Sequence, residues 1–230
     1  MGENIPEIDE ILSSSMDTGW VLEPDAKRIF KLAGLDVPRS TVATNLDQAL
    51  HFAHEIGYPV VAKIVSPAII HKSDVKGVVV GIRDYDELVK TYQRLSRLEG
   101  CVGVLVEEMV TGIELIVGAK IDYQFGPMIL LGMGGTGVEI YQDISLRMAP
   151  LTQKDGQAMV DGLKAHRLLK GYRGSEPVNL QMITDTLIRF STLVMEYEHL
   201  VESIDLNPLM CSAQRCVIAD ARIILREERS

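Results

Sequence analysis

The stretch PVVAKIV, residues 59–65, decides the fold of the first part of this chain. A short β-branched run that starts at a proline is typical of a buried strand. Similar runs predict strands at 77–82 and 102–106. Helices are predicted over 45–56, ended by Gly57, and from Asp84 to about Leu98, where Asp84 and Glu87 form a capping-box pattern. These elements predict a compact lobe of mixed helices and strands.

The remainder of the chain predicts a second lobe of the same class. Strands are expected at 113–121, 127–131 and near 138–141, and again at 201–206 and 216–224. Helices are expected from Thr152 and along the apolar stripe of 180–197. The fold class is therefore α+β, with two lobes and a cleft between their sheets that could hold a ligand. The predicted division is a tail over 1–18, a small lobe over 19–106 and a large lobe over 107–230, with a hinge near 107–112.

Composition excludes several classes of function. The 230 residues carry a net charge of -9, which disfavours sequence-independent binding to nucleic acid. An anion such as ATP would therefore need a local basic pocket and a divalent cation. No apolar run reaches the roughly 20 residues that a membrane-spanning helix needs. The acidic N-terminus does not resemble a signal peptide, and three cysteines without a CxxC motif favour a reduced, cytoplasmic protein.

The glycine cluster Gly132–Gly137 fits the dinucleotide fingerprint G-x-G-x-x-G and follows a predicted strand. The residues after it alternate like a strand and do not open a helix, whereas a bound pyrophosphate needs a helix N-terminus. A Rossmann site is therefore disfavoured. Two interpretations stay open, a flexible turn and a loop whose backbone amides approach a phosphate.

Oxygen ligands occur in the last two predicted strands. Pro208 is expected to end the first strand and to leave Asn207 at its exit, while Asp220 lies inside an otherwise apolar strand. If the strands pair, Asn207 and Asp220 are candidate ligands of Mg²⁺, which takes few protein ligands. The alternative is a structural ion pair between Asp220 and Arg222 or a lysine.

Two cations and one acidic segment are candidates for nucleotide contact. Lys63 lies within an apolar strand and Arg147 has apolar neighbours, so each either contacts an anion or forms an ion pair, and Lys63 could also extend to solvent. The hinge combines Glu107, Glu108, Met109 and Val110 with the nearby Glu114. Such a segment can offer backbone groups to adenine and a carboxylate to ribose, although glutamates at strand ends are usually only solvated.

His71 lies in a polar connection between two predicted strands, and reactive groups concentrate in such loops. A neutral imidazole is a competent nucleophile toward phosphorus. Asp74, three residues later, is a candidate for orienting the ring. The other four histidines fall within or beside helices and are interpreted as surface or packing residues.

Taken in order, these segments resemble the ATP-grasp module of the NDP-forming acyl-CoA synthetases, the family that includes ADP-forming acetyl-CoA synthetase and succinyl-CoA synthetase. The resemblance covers about 20–224. Its segments are 57–67, 71–74, 77–78, 106–109, 112–114, 125–127, 132–137, 145–151 and 205–209. One departure is Asp205, where relatives often have glutamate.

The resemblance implies a reversible reaction in which acyl-CoA, ADP and phosphate give free acid, CoA and ATP. It implies that His71 carries a phosphoryl group received from an α subunit, which binds CoA and holds a first phosphohistidine, in an α2β2 assembly. Lys63 and Arg147 would hold phosphates, residues 107–110 and Glu114 would meet the nucleoside, and Asn207 and Asp220 would hold Mg²⁺.

Two other functions stay open on the residues alone. A carboxylate–amine ligase would form an acyl phosphate directly and needs no histidine. A non-catalytic subunit would bind ATP as a sensor.

Overall fold

The computed structural model describes residues 5–135, 143–174 and 176–226. The chain forms two compact units, one made of 1–37 with 111–230 and the other of 38–110. Both contain helices and an antiparallel sheet, so the predicted α+β class is confirmed. The predicted boundaries differ, because residues 19–37 join the C-terminal part and the smaller unit extends to Val110.

The smaller unit has one sheet with two helices on it. Its strands are β2 (Ser40–Ala43), β3 (Val60–Val65), β4 (Val78–Ile82) and β5 (Gly103–Glu108), in the order β2-β5-β3-β4. The helices are α3 (Leu46–Ile56) and α4 (Tyr85–Leu95). Asn45 and Asp84 cap them by accepting the amides of Gln48 and Glu87. Ala62 and Ile64 of β3 and Val104 and Val106 of β5 point into the core on the helix side.

The larger unit contains the remaining elements. Its strands are β1 (Trp20–Val21), β6 (Ile113–Asp122), β7 (Gly126–Met133), β8 (Ile144–Met148), β9 (Val201–Cys211), β10 (Cys216–Ile218) and β11 (Ala221–Leu225). Its helices are α1 (Ile5–Ser14), α2 (Glu23–Leu32), α5 (Gln153–Asp161), α6 (His166–Leu169) and α7 (Leu180–Glu196). The sheet order is β1-β11-β9-β6-β7-β8, and β10 also pairs with β9.

Residues 5–14 are not a tail. They form α1, which buries Ile8 and Leu12 in the core of the larger unit. The apolar positions recur at helical spacing, and a stripe of this kind is stabilised by burial against a sheet. The polar composition of the segment concealed this stripe.

The end of the sheet differs from the prediction in two places. Strand β9 does not end at Pro208 but continues to Cys211. It forms a bulge there, in which two residues of β9 lie opposite one residue of β6, between the Leu115–Leu209 pair and the Val117–Leu206 pair. This bulge accommodates a proline, which cannot donate to a ladder. Asp220 does not lie inside a strand but in the break between β10 and β11.

All three cysteines are free thiols. Cys211 and Cys216 are buried and lie opposite one another on β9 and β10. Contact with Cys216, together with burial, raises the pKa of the Cys211 thiol, and a protonated thiol is a poor nucleophile. Among the helices that the structure describes, not one has the length and hydropathy needed to span a bilayer.

Candidate active site

His71 lies on the connection between β3 and β4. Turns hold the backbone there: the amide of Asp74 donates to the carbonyl of His71 at 3.2 Å, and that of Gly77 to the carbonyl of Lys72 at 2.6 Å. The His71 side chain is exposed. Within the described ranges the imidazole has no hydrogen bond or ion pair with the protein. A ring nitrogen is therefore available for chemistry.

The predicted role of Asp74 is not seen in this conformation. Asp74 is exposed, and across the residues that the structure describes no hydrogen bond joins its carboxylate to the imidazole. What anchors the start of the connection is Ser66, which is buried. Its hydroxyl donates to the carbonyl of Glu99 at 3.0 Å and accepts the amide of Ala68 at 3.2 Å.

Lys63 forms a buried ion pair with Glu107. Its Nζ lies 3.0 Å from Oε2 of Glu107, and the two side chains are 6% and 2% exposed. Lys63 lies opposite Leu105 in the register, so Glu107 is its diagonal neighbour on the side of the sheet away from the core. Of the alternatives for Lys63, extension to solvent is wrong and an ion pair is present.

Glu108 is tied to the start of β2. Its carboxylate accepts the amide and the Nε of Arg39, each at 3.2 Å, and its own amide donates to the carbonyl of Arg39 at 2.9 Å. Met109 and Val110 follow β5 without regular structure and are partly buried. The segment 107–110 is thus fixed at its first two residues by side-chain contacts within the smaller unit.

Glu114 belongs to the larger unit, on the face of the sheet opposite the core. It is exposed, and its carbonyl accepts the amide of Gly134 at 2.7 Å. A Cβ on Gly134 would lie 2.7 Å from the Cβ of Glu114, so only glycine permits this approach. The part of the glycine cluster at 136–137 and the strand expected near 138–141 lie outside the described residues.

The close approach at Gly134 gives a first prediction. Gly134→Ala is expected to lower the free energy of unfolding by about 1–3 kcal/mol, because the methyl group meets strand backbone that cannot move aside. Thermal or chemical denaturation measures the change. Gly118→Ala is the matched control, since a Cβ there meets its nearest atom at an ordinary 3.6 Å. Equal losses in the two variants would contradict the steric explanation.

Arg147 is separated from the other candidates of the larger unit. It lies on the edge strand β8 opposite Ile129, a core residue, so it points to the helix side of the sheet. The hydroxyl and amide of Thr152 hold the pKa of Asp155 below its usual value, and Arg147 adds to this effect. Arg147 therefore lies near the start of α5, while Glu114 lies on the other face.

Asn207 and Asp220 are brought together by the backbone. The amide of Asn207 donates to the carbonyl of Asp220 at 3.2 Å, and the amide of Ala219 donates to the carbonyl of Pro208 at 3.0 Å. Asn207 is exposed, and the carboxylate of Asp220 accepts the amide of Ala221 at 3.0 Å. The bulge in β9 and the break before β11 thus meet at the two predicted metal ligands.

The donors at this position suit Mg²⁺, which prefers amide and carboxylate oxygens and is usually held by one or two protein groups. Among the described residues there is no cluster of three or more His, Cys, Asp or Glu that could hold a metal ion. Asp205 forms an ion pair with Arg222, Oδ2 to Nη2 at 2.9 Å. Of the predicted structural alternatives, an Asp220–Arg222 pair is wrong, because Arg222 pairs with Asp205, whereas a pair of Asp220 with a lysine stays a prediction.

Sequence reasoning missed a buried pair beside this position. Glu23 and Lys27 of α2 form an ion pair, and Lys27 also donates to the carbonyl of Ala219. Their spacing of four residues is typical of solvated helix surfaces. The sequence signal was weak, because Lys27 lies beside the apolar stripe of α2 but is followed directly by Arg28.

Comparison with known proteins relates the whole chain to one family. A model described as ATP-grasp domain matches residues 13–225. The β subunit of ADP-forming acetate–CoA ligase II from Pyrococcus furiosus is 39% identical over 235 residues, covering 98% of this chain and 99% of that one. ADP-forming acetate–CoA ligase I from Archaeoglobus fulgidus is 40% identical, covering 96% of this chain but 33% of its own length.

Comparison with solved structures relates the chain to the same kind of enzyme. The dinucleotide-forming acetyl-coenzyme A synthetase 1 of Candidatus Korarchaeum cryptofilum is 39% identical to this chain. That structure is described in complex with coenzyme A and Mg-AMPPCP, with a phosphohistidine segment pointing towards the nucleotide binding site. It matches with a TM-score of 0.84 over 95% of this chain and 100% of that one. A second structure of that enzyme is described with a phosphorylated phosphohistidine segment in the site I orientation.

Proposed function

The chain belongs to the ATP-grasp family and is homologous over nearly its whole length to β subunits of ADP-forming acetate–CoA ligases, and from this premise we propose its function. It is the nucleotide-binding subunit of a reversible ADP-forming acyl-CoA synthetase. It passes a phosphoryl group from a partner subunit, through a phosphohistidine at residue 71, to ADP.

The observation that carries the proposal is the exposed imidazole of His71, which has no protein partner among the described residues. A side chain that must serve two sites cannot be held by strong contacts at one of them. His71 also lies on a connection rather than in a strand, and loops of this kind can change position without disturbing a sheet. The two segment orientations described for the Korarchaeum enzyme support a moving His71 segment here.

The proposed transfer has two balanced steps. An imidazole nitrogen of His71 attacks phosphorus, and the bond from phosphorus to its previous carrier breaks. In the second step an oxygen of the β-phosphate of ADP attacks the phosphorus atom of the phosphohistidine. The phosphorus–nitrogen bond breaks, ATP is formed, and the imidazole of His71 is free again. Catalysis of such transfers rests on positioning and on neutralising the equatorial oxygens.

Lys63, Arg147 and the segment 107–110 are the proposed nucleotide contacts, with Glu114. Lys63 is supported by its position on the side of the smaller sheet away from the core. Arg147 has weaker support, since it points to the helix side of its sheet. When bound, Mg²⁺ supplies positive charge to the phosphates. Asn207 and Asp220 would hold it, because their backbones are joined and both side chains offer hard oxygen donors.

The partner is a chain that binds CoA and carries a first phosphohistidine. The Pyrococcus relatives are β subunits, whereas this chain spans about a third of the length of the Archaeoglobus enzyme. An α2β2 assembly in the cytoplasm fits this division of the enzyme into two kinds of subunit.

The decisive experiment is to combine the chain with its partner and to measure ATP formation from acetyl-CoA, ADP and phosphate. Absence of ATP formation with every acyl-CoA offered would refute the function.

A second prediction tests the metal position. Asp220→Asn is expected to raise the Mg²⁺ concentration needed for half-maximal activity by at least about 10-fold, since a neutral amide attracts the cation less strongly than a carboxylate. Titration of activity with Mg²⁺ at saturating ADP measures this. Asp205→Asn is the comparison variant, because Asp205 is already paired with Arg222. An unchanged Mg²⁺ requirement in Asp220→Asn would place the metal elsewhere.

A further inference from the structure

The helix α2 carries a buried ion pair for which the proposed transfer has no use. Nζ of Lys27 lies 2.8 Å from Oε1 of Glu23, and the side chains are 3% and 6% exposed. Removing two charges from water costs free energy that their attraction does not reliably recover, so a buried pair is weak evidence for a role in stability. A role in fixing local geometry is the alternative to be tested.

Lys27 reaches beyond its own helix. Its Nζ donates to the carbonyl oxygen of Ala219 at 2.7 Å, across 192 residues of sequence. Hydrogen bonds from an ionised donor are shorter and stronger than neutral ones, and lysine has three donors, enough to bond the carboxylate and this carbonyl together. The ammonium therefore fixes the peptide unit that joins Ala219 to Asp220.

That peptide unit lies in the break between β10 and β11, where no ladder holds the chain. Two backbone bonds join the break to the bulge of β9, from Asn207 to Asp220 and from Ala219 to Pro208. Lys27 adds a third restraint, from the helix side. Because a peptide is planar, restraining the carbonyl of Ala219 also restrains the N–Cα bond of Asp220. The bond from the amide of Asn207 to the carbonyl of Asp220 restrains the same residue from its other side, so the range of directions open to its side chain is reduced.

We propose that Glu23 and Lys27 are positioning residues for the divalent cation: Glu23 keeps the ammonium in place, and Lys27 orients the Ala219–Asp220 peptide so that the Asp220 carboxylate faces Asn207. This inference rests on the proposed metal position. Groups that orient a metal ligand without touching the metal commonly change its affinity by about 10–100-fold.

The test uses the full chain and Mn²⁺ as the probe, with a non-hydrolysable β,γ-methylene analogue of ATP no more concentrated than the protein, so that little free nucleotide is left to chelate the metal. Electron paramagnetic resonance counts free Mn²⁺ and yields the dissociation constant without any turnover. The main variant is Glu23→Gln with Lys27→Met, which removes both charges of this pair together. We expect Mn²⁺ to bind about 10-fold more weakly to it.

Ser191→Ala is the matched control. The buried Ser191 hydroxyl accepts the amide of Leu151 at 3.0 Å, so the variant loses a side-chain contact to backbone in the same unit but away from Asp220. Its Mn²⁺ affinity should equal that of the parent chain even if its melting temperature falls. A fall in affinity that follows the loss of stability in both variants would overturn the positioning role.

Asp220→Asn separates the two hypotheses. If it weakens Mn²⁺ binding and the Glu23→Gln, Lys27→Met double variant does not, the positioning role is refuted and the metal position stands. If Asp220→Asn leaves Mn²⁺ binding unchanged, the metal position itself is refuted, and the positioning role falls with it.

Discussion

Replacement of His71 by asparagine is expected to abolish ATP synthesis by the assembled enzyme, with a loss of at least about 10⁴-fold, as found when a covalent nucleophile is removed. Asparagine is similar in size and polarity but does not form a phosphoramidate that can be passed on. Since the His71 side chain is exposed and has no protein partner in the described ranges, the substitution should leave the melting temperature nearly unchanged. The substitution is therefore expected to remove activity without lowering stability.

The covalent step is measured with ATP labelled in the γ-phosphate, in the presence of Mg²⁺. The parent chain should acquire a label that is lost in acid and retained in base, as expected of a phosphoramidate, and His71→Asn should acquire none. His54→Asn, on the exposed side of α3 in the same unit, should be labelled like the parent.

Other outcomes would favour other functions. Acyl phosphate formation that survives His71→Asn would indicate a carboxylate–amine ligase. Stoichiometric binding of ATP without any label, even with the partner present, would indicate a sensor subunit. Either result would contradict the relay function.

Lys63→Met is expected to have the second largest effect. It leaves the carboxylate of Glu107 buried without its ammonium partner at 3.0 Å, and breaking a buried pair costs about 3–5 kcal/mol. Chemical denaturation at neutral pH measures this loss. Lys90→Met, an exposed lysine on α4, should change the free energy of unfolding by less than about 0.5 kcal/mol.

The double variant Lys63→Met with Glu107→Gln separates stability from nucleotide contact. Removal of both charges should restore most of the lost stability, because the buried carboxylate that lost its ammonium partner is then neutral. If Lys63 also contacts phosphate, the affinity for ADP should stay at least about 10-fold below that of the parent, in line with one lost charge-assisted hydrogen bond. Recovery of ADP affinity along with stability would show that the pair is purely structural.

Local signals in the sequence predicted most of the smaller unit. Asn45, Gly57 and Asp84 mark helix ends by short-range hydrogen bonding or backbone conformation, and the structure places helix ends at each. The connection that carries His71 was predicted for the same reason, since it lies between two clear strands. Signals of this kind act within a few residues and can be read without knowledge of the fold.

What the sequence did not predict depends on long-range pairing. Strand β1 pairs with β11 through Trp20 and Ile224, and this pairing assigns residues 19–37 to the larger unit. The bulge that lets β9 pass through Pro208 exists only because β6 lies beside it. Likewise, the contact between Lys27 and Ala219 joins two segments that have no shared pattern.

The division of the chain also constrains the order in which it can fold during synthesis. The smaller unit is one uninterrupted segment, 38–110, so it can fold as soon as that segment has left the ribosome. The first 37 residues cannot, because β1 pairs with β11, which is synthesised only after the whole of the smaller unit. Ile8, Leu12 and Phe30, which are buried in the core of the larger unit, therefore lack their final neighbours until β11 has been synthesised.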